Sequence, residues 1–282
     1  MTNPHRSAAR IQVGTTLRRM REEAGLPRER ATEVLNCTLT KIGNIETAVS
    51  GIRQAELEKL LDLYQADEET REDLLGLNSE AHRRRQRSKI GGMIAPYMRR
   101  ILDVEASATE ALYSSFELVP AALQTEGYTR ALMVGGGVTG EALEKNLELR
   151  AGRRALLTDR KPPLRLWAVL AEPLLRANFG GPRVMKDQIE YILGISELAH
   201  VDVQVMPEGA GAHALTGTTL TLFRLPDGLP SLISVDTPFG DHFVDRPEQV
   251  EKASRWFDHT RAKALGIEES RELLARIMKD TR

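Results

Sequence analysis

Residues 17–65 read LRRMREEAGLPRERATEVLNCTLTKIGNIETAVSGIRQAELEKLLDLYQ, and this stretch decides the fold of the N-terminal part of the chain. Its apolar residues recur at helical spacing in four short segments. They are Leu17, Met20 and Ala24; Ala31, Val34 and Leu35; Ile42 and Ile45; and Leu57, Leu60, Leu61 and Tyr64. The pattern predicts four short helices that follow one another closely along the chain.

The second and third helices are joined by a sharp turn at Asn36 and Cys37. Asn tolerates the left-handed backbone conformation that such a turn needs, and the side chain of Thr38 can cap the helix that follows. This helix, over 39–47, turns Ile42 and Ile45 inward. Its outward-facing residues are Leu39, Thr40, Lys41, Gly43 and Asn44. The layout is that of a helix-turn-helix DNA-binding motif, although a small helical bundle without a ligand has the same spacing.

The stretch LNCTLTKIGNIE (35–46) favours the DNA-binding interpretation, because residues 13–65 resemble the Xre or phage-repressor family of helix-turn-helix domains. The resemblance implies an ion pair between Arg21 on the first helix and Glu46 at the end of the third. The sequence departs from the family where Ala31-Thr32 replaces Leu-Ala and where Pro27 replaces a capping Ser or Thr. Proline is tolerated at a helix start, so the second helix is still expected.

The same resemblance, with the outward face of the third helix, implies which residues contact DNA. The residues expected to face base edges are Leu39, Thr40, Gly43 and Asn44. The residues expected to bind phosphates are Arg28, Thr38, Lys41 and Arg53. Gly43 has two interpretations: a neutral substitution that costs the helix about 1 kcal/mol against alanine, or a site of close approach to the wall of the DNA groove.

Charge is concentrated locally rather than over the whole chain. The 282 residues carry a formal net charge of -1, so DNA affinity must come from a local patch. Residues 1–21 contain five arginines and no acid, and residues 81–102 contain six arginines, Lys89 and no acid.

Cysteine content and hydropathy predict where the protein resides. The single cysteine, Cys37, excludes a disulfide framework and is typical of a reducing compartment. Neither a signal-peptide pattern nor an apolar run of about 18 residues is present. We expect a soluble cytoplasmic protein, associated with the nucleoid and without a membrane partner.

Composition shifts divide the chain into a helix-turn-helix domain (1–78), a basic linker (79–93) and an effector domain (94–282). The linker is either a solvated connection or a contact to the DNA backbone. In the effector domain we predict a long helix over 93–115, a strand over 164–172 and helices over 246–264 and 268–279. Three further short strands lie in VDVQVMP, TTLTLFRLPD and SLISVDTP. The predicted fold is therefore a mainly α N-terminal domain of four to five helices and a C-terminal α+β domain with a small sheet of four or five short strands.

The C-terminal domain has a resemblance of its own, in EASATEALYSSFELVPAALQTEGYTRALM, PPLRLWAVLAEPLLR, VDVQVMPEGAGAH and RLPDGLPSLISVD. These segments are similar to the C-terminal domain of actinobacterial WhiJ-like regulators, over about 94–280. The resemblance implies a transcriptional regulator that acts with a small protein encoded nearby, in an arrangement like that of an antitoxin and its toxin.

Motifs for catalysis, cofactors and metals are missing from the sequence. The six histidines include no HExxH pattern, and the serines include no Gly-x-Ser-x-Gly elbow. The loop 207–213 is either a hairpin connection or a lid with His213 pointing into a pocket. We therefore expect no enzyme, no cofactor and no metal.

Three hypotheses about control follow: regulation by a protein partner, regulation by a small molecule bound in the C-terminal domain, or an enzyme fused to a DNA-binding domain. We also expect a homodimer, because two half-sites increase affinity. A partner surface is expected within 201–238 or the terminal helices, with Phe223, Phe239 and Trp256 as candidate anchors. Taken singly, each of the three is better explained by core packing.

Overall fold

The protein forms two compact units. A computed structural model describes the backbone of residues 5–85, 96–226, 229–237 and 242–281, with side chains described at 10–79, 101–226, 229–237 and 242–281. The helical unit extends to Ser107 and includes Leu225–Pro230, whereas the α+β unit comprises Ala108–Arg224 and Ser231–Arg282. The predicted fold class, a helical N-terminal domain and an α+β C-terminal domain, is confirmed.

The described residues of the helical unit form six helices. They are α1 (His5–Glu23), α2 (Arg28–Leu35), α3 (Leu39–Glu46), α4 (Gln54–Leu63), α5 (Glu68–Arg85) and α6 (Pro96–Ser107). Their core contains most of the apolar residues that the helical spacing singled out, including Leu17, Ile42, Ile45 and Leu57. Two expected inward residues are exposed: Ala24 lies beyond the end of α1, and Val34 lies in the last turn of α2.

The two units do not divide where the sequence predicted a linker. Helix α6, which was assigned to the effector domain, packs on α1 within the helical unit, and Arg10 of α1 pairs with Asp103 of α6 at 3.3 Å. Residues 79–85 of the predicted linker continue helix α5, while 86–93 lie outside the described residues. The shift in composition over 79–93 reflects a more polar segment and not a domain boundary, because the next helix, α6, packs its apolar face on the first domain.

A mixed six-stranded sheet is the centre of the α+β unit, in the order β3-β2-β1-β4-β5-β6. Its strands are β1 (Glu110–Ser115), β2 (Arg165–Ala171), β3 (Val201–Met206), β4 (Leu220–Arg224), β5 (Leu232–Val235) and β6 (His242–Val244). β1 to β3 run parallel, and β4 to β6 are added antiparallel on the other side of β1. The predicted strands β2 to β5 are present, and β6 brings the sheet to six strands rather than four or five.

The long helix predicted over 93–115 is wrong in its second half. Residues 110–115 form β1, the strand between β2 and β4, and five of its six residues are buried. A strand covered on both faces has no alternation of apolar and polar residues. The segment EALYSS therefore gave the same signal as a buried helix.

Helices connect strands of this sheet and pack on its faces. They are α7 (Glu126–Gly135), α8 (Gly140–Thr158), α9 (Glu172–Arg176), α10 (Pro182–Ile195), α11 (Pro247–Lys263) and α12 (Ile267–Asp280). On one face, Leu112, Val169 and Leu222 pack in a common core with Phe257 of α11. None of the helices in the described part of the chain is long and apolar enough to cross a membrane.

Candidate nucleic-acid interface

The turn between α2 and α3 is built by three consecutive residues. Asn36 adopts the left-handed conformation with φ 47° and ψ 58°, which ends α2 and redirects the chain. The hydroxyl oxygen of Thr38 accepts a hydrogen bond from the N–H of Lys41 at 3.3 Å and so caps α3. Both features were predicted from the sequence, and together they set the angle at which α3 leaves the turn.

Helix α3 has one buried face and one accessible face. Ile42 and Ile45 are almost completely buried in the core of the helical unit. On the other side, Leu39 is 49 % exposed, Thr40 is exposed and Asn44 is half-buried. Within the part of the chain that the structure describes, the side-chain amide of Asn44 makes no hydrogen bond, so its donor and acceptor are available to a ligand.

An open groove of about 520 Å³ lies along α3 and the loop that leads into α4. Its lining residues are Thr38, Thr40, Lys41, Asn44, Ser50, Gly51, Ile52, Arg53 and Glu56. The groove brings together five of the eight residues that the sequence assigned to DNA contacts. Leu39, Gly43 and Arg28 do not line it.

The carboxylate of Glu46 joins α1, α2 and α3. Arg21 binds it in a bidentate pair, with Nε donating to Oε1 at 2.5 Å and Nη2 donating to Oε2 at 3.0 Å. The Glu46 side chain is 2 % exposed and that of Arg21 is 8 % exposed, so both charges are removed from water. The hydrogen bond to Glu46 raises the pKa of Arg21 above its ordinary value, against the effect of burial.

Arg28 takes part in the same cluster, which differs from its expected role at a phosphate. Its Nε donates to Oε2 of Glu46 at 2.8 Å, and its side chain is 41 % exposed. The acid that binds it lies 18 residues away in the sequence and therefore could not be seen from the local charge pattern. Only the remaining N–H groups of Arg28 are left for a phosphate.

Lys41 is also bound to an acid of the same domain. Its Nζ donates to Oε1 of Glu56 at 2.5 Å, and Oε2 of Glu56 accepts from the backbone N–H of Arg53 at 3.4 Å. Partial burial acts to raise the pKa of Glu56, but the hydrogen bonds from Lys41 and from the Arg53 N–H outweigh it, and the pKa is lowered. Glu56 is thus ionised inside the groove.

Glu56 is the charged residue of the groove that the sequence analysis missed. Its position three residues after Arg53, at the start of α4, was the available signal. A glutamate at the third helical position commonly accepts a hydrogen bond from the backbone N–H of the residue before the helix. The pattern predicts the contact with Arg53, but nothing local predicts the pairing with Lys41, which lies 15 residues earlier.

Four of the five arginines in the N-terminal segment, those whose side chains the structure describes, pair with acids of the helical unit. Arg18 pairs with Glu22 at 3.0 Å and Arg19 with Glu23 at 3.6 Å, in addition to the pairs of Arg10 and Arg21 described above. All of these acids lie outside residues 1–21, the segment that itself contains no acidic residue. The side chains of the second basic segment, up to residue 100, lie outside the described residues.

The candidate residues of the α+β unit are separated rather than gathered into a site. His213 stacks on Phe116 with ring centroids 4.8 Å apart, and burial, followed by Lys263 and His259, lowers its pKa. The candidate anchor Phe223 is completely buried in the sheet, because it lies on a central strand, whereas Trp256 is 40 % exposed. The third anchor, Phe239, lies outside the described residues. Among the described residues no group of three or more His, Cys, Asp or Glu could hold a metal ion.

Two models of known protein families match the chain. The model called domain of unknown function (DUF5753) matches residues 98–276, which is more than half of the chain. The chain belongs to the DUF5753 family. The helix-turn-helix domain model matches residues 12–74, which contain α2, the turn, α3 and the groove. This member of the DUF5753 family therefore carries a helix-turn-helix domain at its N-terminus, which indicates a DNA-binding regulator. No curated protein and no solved structure matched the chain.

Proposed function

We propose that the protein is a sequence-specific transcriptional regulator of the Xre type, which inserts α3 into the major groove of double-stranded DNA. The observation that carries the proposal is the groove along α3, where the unpartnered amide of Asn44 lies with Thr40 beside Lys41 and Arg53. Amide and hydroxyl groups recognise base edges, and cations flanking them bind the phosphates on either side.

Each residue of the interface has a specific expected contact. The amide of Asn44 suits a bidentate pair of hydrogen bonds with adenine, and the exposed Leu39 suits the methyl group of thymine. Thr40 can donate or accept, and Gly43 allows a close approach of the helix backbone. Phosphates are expected at Arg53, at the remaining donors of Lys41 and Arg28, and at Thr38.

The test is selection of bound fragments from a random DNA pool, followed by binding measurements on the selected sequence. Asn44→Ala should weaken binding to the selected sequence by about 1–3 kcal/mol and hardly change binding to random DNA. Asn146→Ala, the same chemical change at a partly exposed position of α8, is the matched control. Equal losses of Asn44→Ala on both DNAs would remove Asn44 from the base-reading residues.

Control through the α+β unit by a small protein partner is proposed from the similarity to WhiJ-like regulators, with a small-molecule ligand as the alternative. Three large apolar side chains on this unit are solvent-exposed and suit a partner: Leu118 at 44 %, Val134 at 50 % and Trp256 at 40 %. Catalysis is not part of the proposal, because the sequence offers no nucleophile or acid–base motif. Affinity capture with the full-length protein tests the proposed control by a protein partner. Retention of a small molecule and no protein would favour the alternative.

A homodimer in the cytoplasm is the proposed assembly. One helix-turn-helix domain contacts only a few base pairs, and two domains on one duplex gain affinity through their effective concentration. Sedimentation at micromolar protein concentration, with and without the selected DNA, should give a dimer at least on DNA. A monomer in both conditions would contradict this assembly.

A further inference from the structure

An ionised acid lies among the groups proposed to bind a polyanion. Glu56 lines the groove together with two cations, Lys41 and Arg53. Its side chain is 21 % exposed and that of Lys41 is 38 % exposed, so the ion pair is only partly exposed to solvent. A negative charge at this place repels phosphate.

The contact geometry gives Glu56 two functions at once. One carboxylate oxygen accepts from the backbone N–H of Arg53 and so fixes the start of α4. The other oxygen binds the ammonium group of Lys41 at 2.5 Å, which holds the lysine against α4. An amide oxygen can serve the first function, but only a carboxylate provides the charge for the second.

Glu46 also binds cations of the same domain, but it is much more buried than Glu56. Glu46 is 2 % exposed and binds Arg21, so removing its charge would disturb the fold. Glu56 lies at the open groove, where its charge can be changed at little cost to the core. Any phosphate that approaches Lys41 must therefore compete with Glu56.

We infer that Glu56 limits the affinity of the groove for DNA phosphate by holding Lys41 in an internal ion pair. The inference rests on the proposed function. The sequence-independent part of DNA binding comes from neutralised phosphates. Glu56 reduces this part, and so leaves a larger share of the total affinity to the base contacts of Asn44 and Thr40.

The experiment measures binding of the full-length protein to a random-sequence 30-base-pair duplex over a range of salt concentrations. Glu56→Gln keeps an oxygen for the Arg53 N–H and releases Lys41. We expect its affinity at about 0.1 M salt to rise about three- to fivefold, the upper part of the range for an ion pair near the surface. The plot of log affinity against log salt should become steeper by about 0.9, as for one additional phosphate contact.

Two controls separate this mechanism from a general effect of charge. Glu58→Gln makes the same change of net charge at an exposed position of α4 that does not line the groove, and should leave both quantities unchanged. In a Lys41→Met background, Glu56→Gln should change affinity less than twofold, because the ion pair is already absent. Equal gains from Glu56→Gln and Glu58→Gln, or a full gain in the Lys41→Met background, would overturn the inference.

Binding of the wild-type protein to the duplex distinguishes a failure of the inference about Glu56 from a failure of the proposed function. A wild type that binds the duplex, with an unchanged Glu56→Gln variant, overturns the role of Glu56 and leaves the proposed function standing. A wild type that binds no duplex at any salt concentration overturns the proposed function and the role of Glu56 with it.

Discussion

Gly14 of α1 lies directly against the backbone of Ile45 in α3. A β-carbon at Gly14 would be 2.4 Å from the carbonyl oxygen of Ile45 and 3.3 Å from the backbone nitrogen of Ala48. Backbone atoms cannot move away as a flexible side chain can, so only glycine allows α1 to approach the end of α3 this closely. The orientation of the proposed recognition helix therefore depends on a residue that has no side chain.

Gly14→Ala should lower the free energy of unfolding of the helical unit by about 1–3 kcal/mol, because the methyl group forces α1 away from α3. Gly76→Ala on α5 is the matched control. A β-carbon at Gly76 meets no atom within 4 Å, so this variant should be stabilised by about 0.5–1 kcal/mol. Amide hydrogen exchange of α3 in the full-length protein measures both effects. Equal protection in the two variants would contradict the close contact.

Removal of Glu46 should destabilise the helical unit far more than removal of an exposed acid. Glu46→Ala leaves the buried guanidinium of Arg21 without its bidentate partner, and breaking such a pair costs about 3–5 kcal/mol. We expect the variant to lose DNA binding through unfolding of α3, visible as lost amide protection.

Glu33→Ala provides the comparison for this prediction. Glu33 pairs with Arg30 on α2 with both side chains more than half exposed, and a pair of this kind is worth at most about 1 kcal/mol. Similar losses of stability in Glu46→Ala and Glu33→Ala would mean that the bidentate pair has no special importance for the fold.

The helix-turn-helix motif was predictable because its determinants are local. The positions of Ile42 and Ile45, the left-handed Asn36 and the cap at Thr38 depend on residues within one or two turns of one another. The partners of Arg28 and Lys41 are set by packing of helices that are distant in sequence, and no local pattern contains them.

The α+β unit was less predictable for a related reason. Strands β2 to β5 are bounded by Pro, Gly and Asp, which gave them clear limits in the sequence. β1 has no such boundary, and its buried run of Ala111, Leu112 and Tyr113 carries no period. Only its pairing with β2 and β4 makes it a strand.

Tyr64 should make the stability of the helical unit fall at alkaline pH. Burial, followed by the charge of Glu46, raises the pKa of Tyr64 to about 12, whereas an unfolded tyrosine titrates near pH 10. Since the unfolded state loses its proton first, the contribution is complete below about pH 10 and is lost as the pH rises through about 12. The expected loss is about 2–3 kcal/mol.

The measurement compares the free energy of unfolding of the wild type and of Tyr64→Phe at pH 9 and pH 11. The phenylalanine keeps the ring in the core and removes the titrating group, so lysine titration affects both proteins alike. The stability of the wild type should fall more between these two values of pH than that of the variant. Parallel decreases would show that Tyr64 titrates normally.

Gly43→Ala separates a neutral glycine from one that approaches DNA. A β-carbon at Gly43 meets no atom within 4 Å in the free protein, and alanine is the better helix former by about 1 kcal/mol. The variant should therefore be more stable than the wild type.

If the outer face of α3 lies against the wall of the major groove, the added methyl group must collide with DNA rather than with protein. Overpacking of this kind costs about 1–3 kcal/mol, so affinity for the selected DNA should fall roughly five- to 150-fold. Gly152→Ala on α8, where a β-carbon also meets no atom within 4 Å, should raise stability without changing DNA affinity. A stabilised Gly43→Ala variant that binds DNA as tightly as the wild type would exclude Gly43 from the interface.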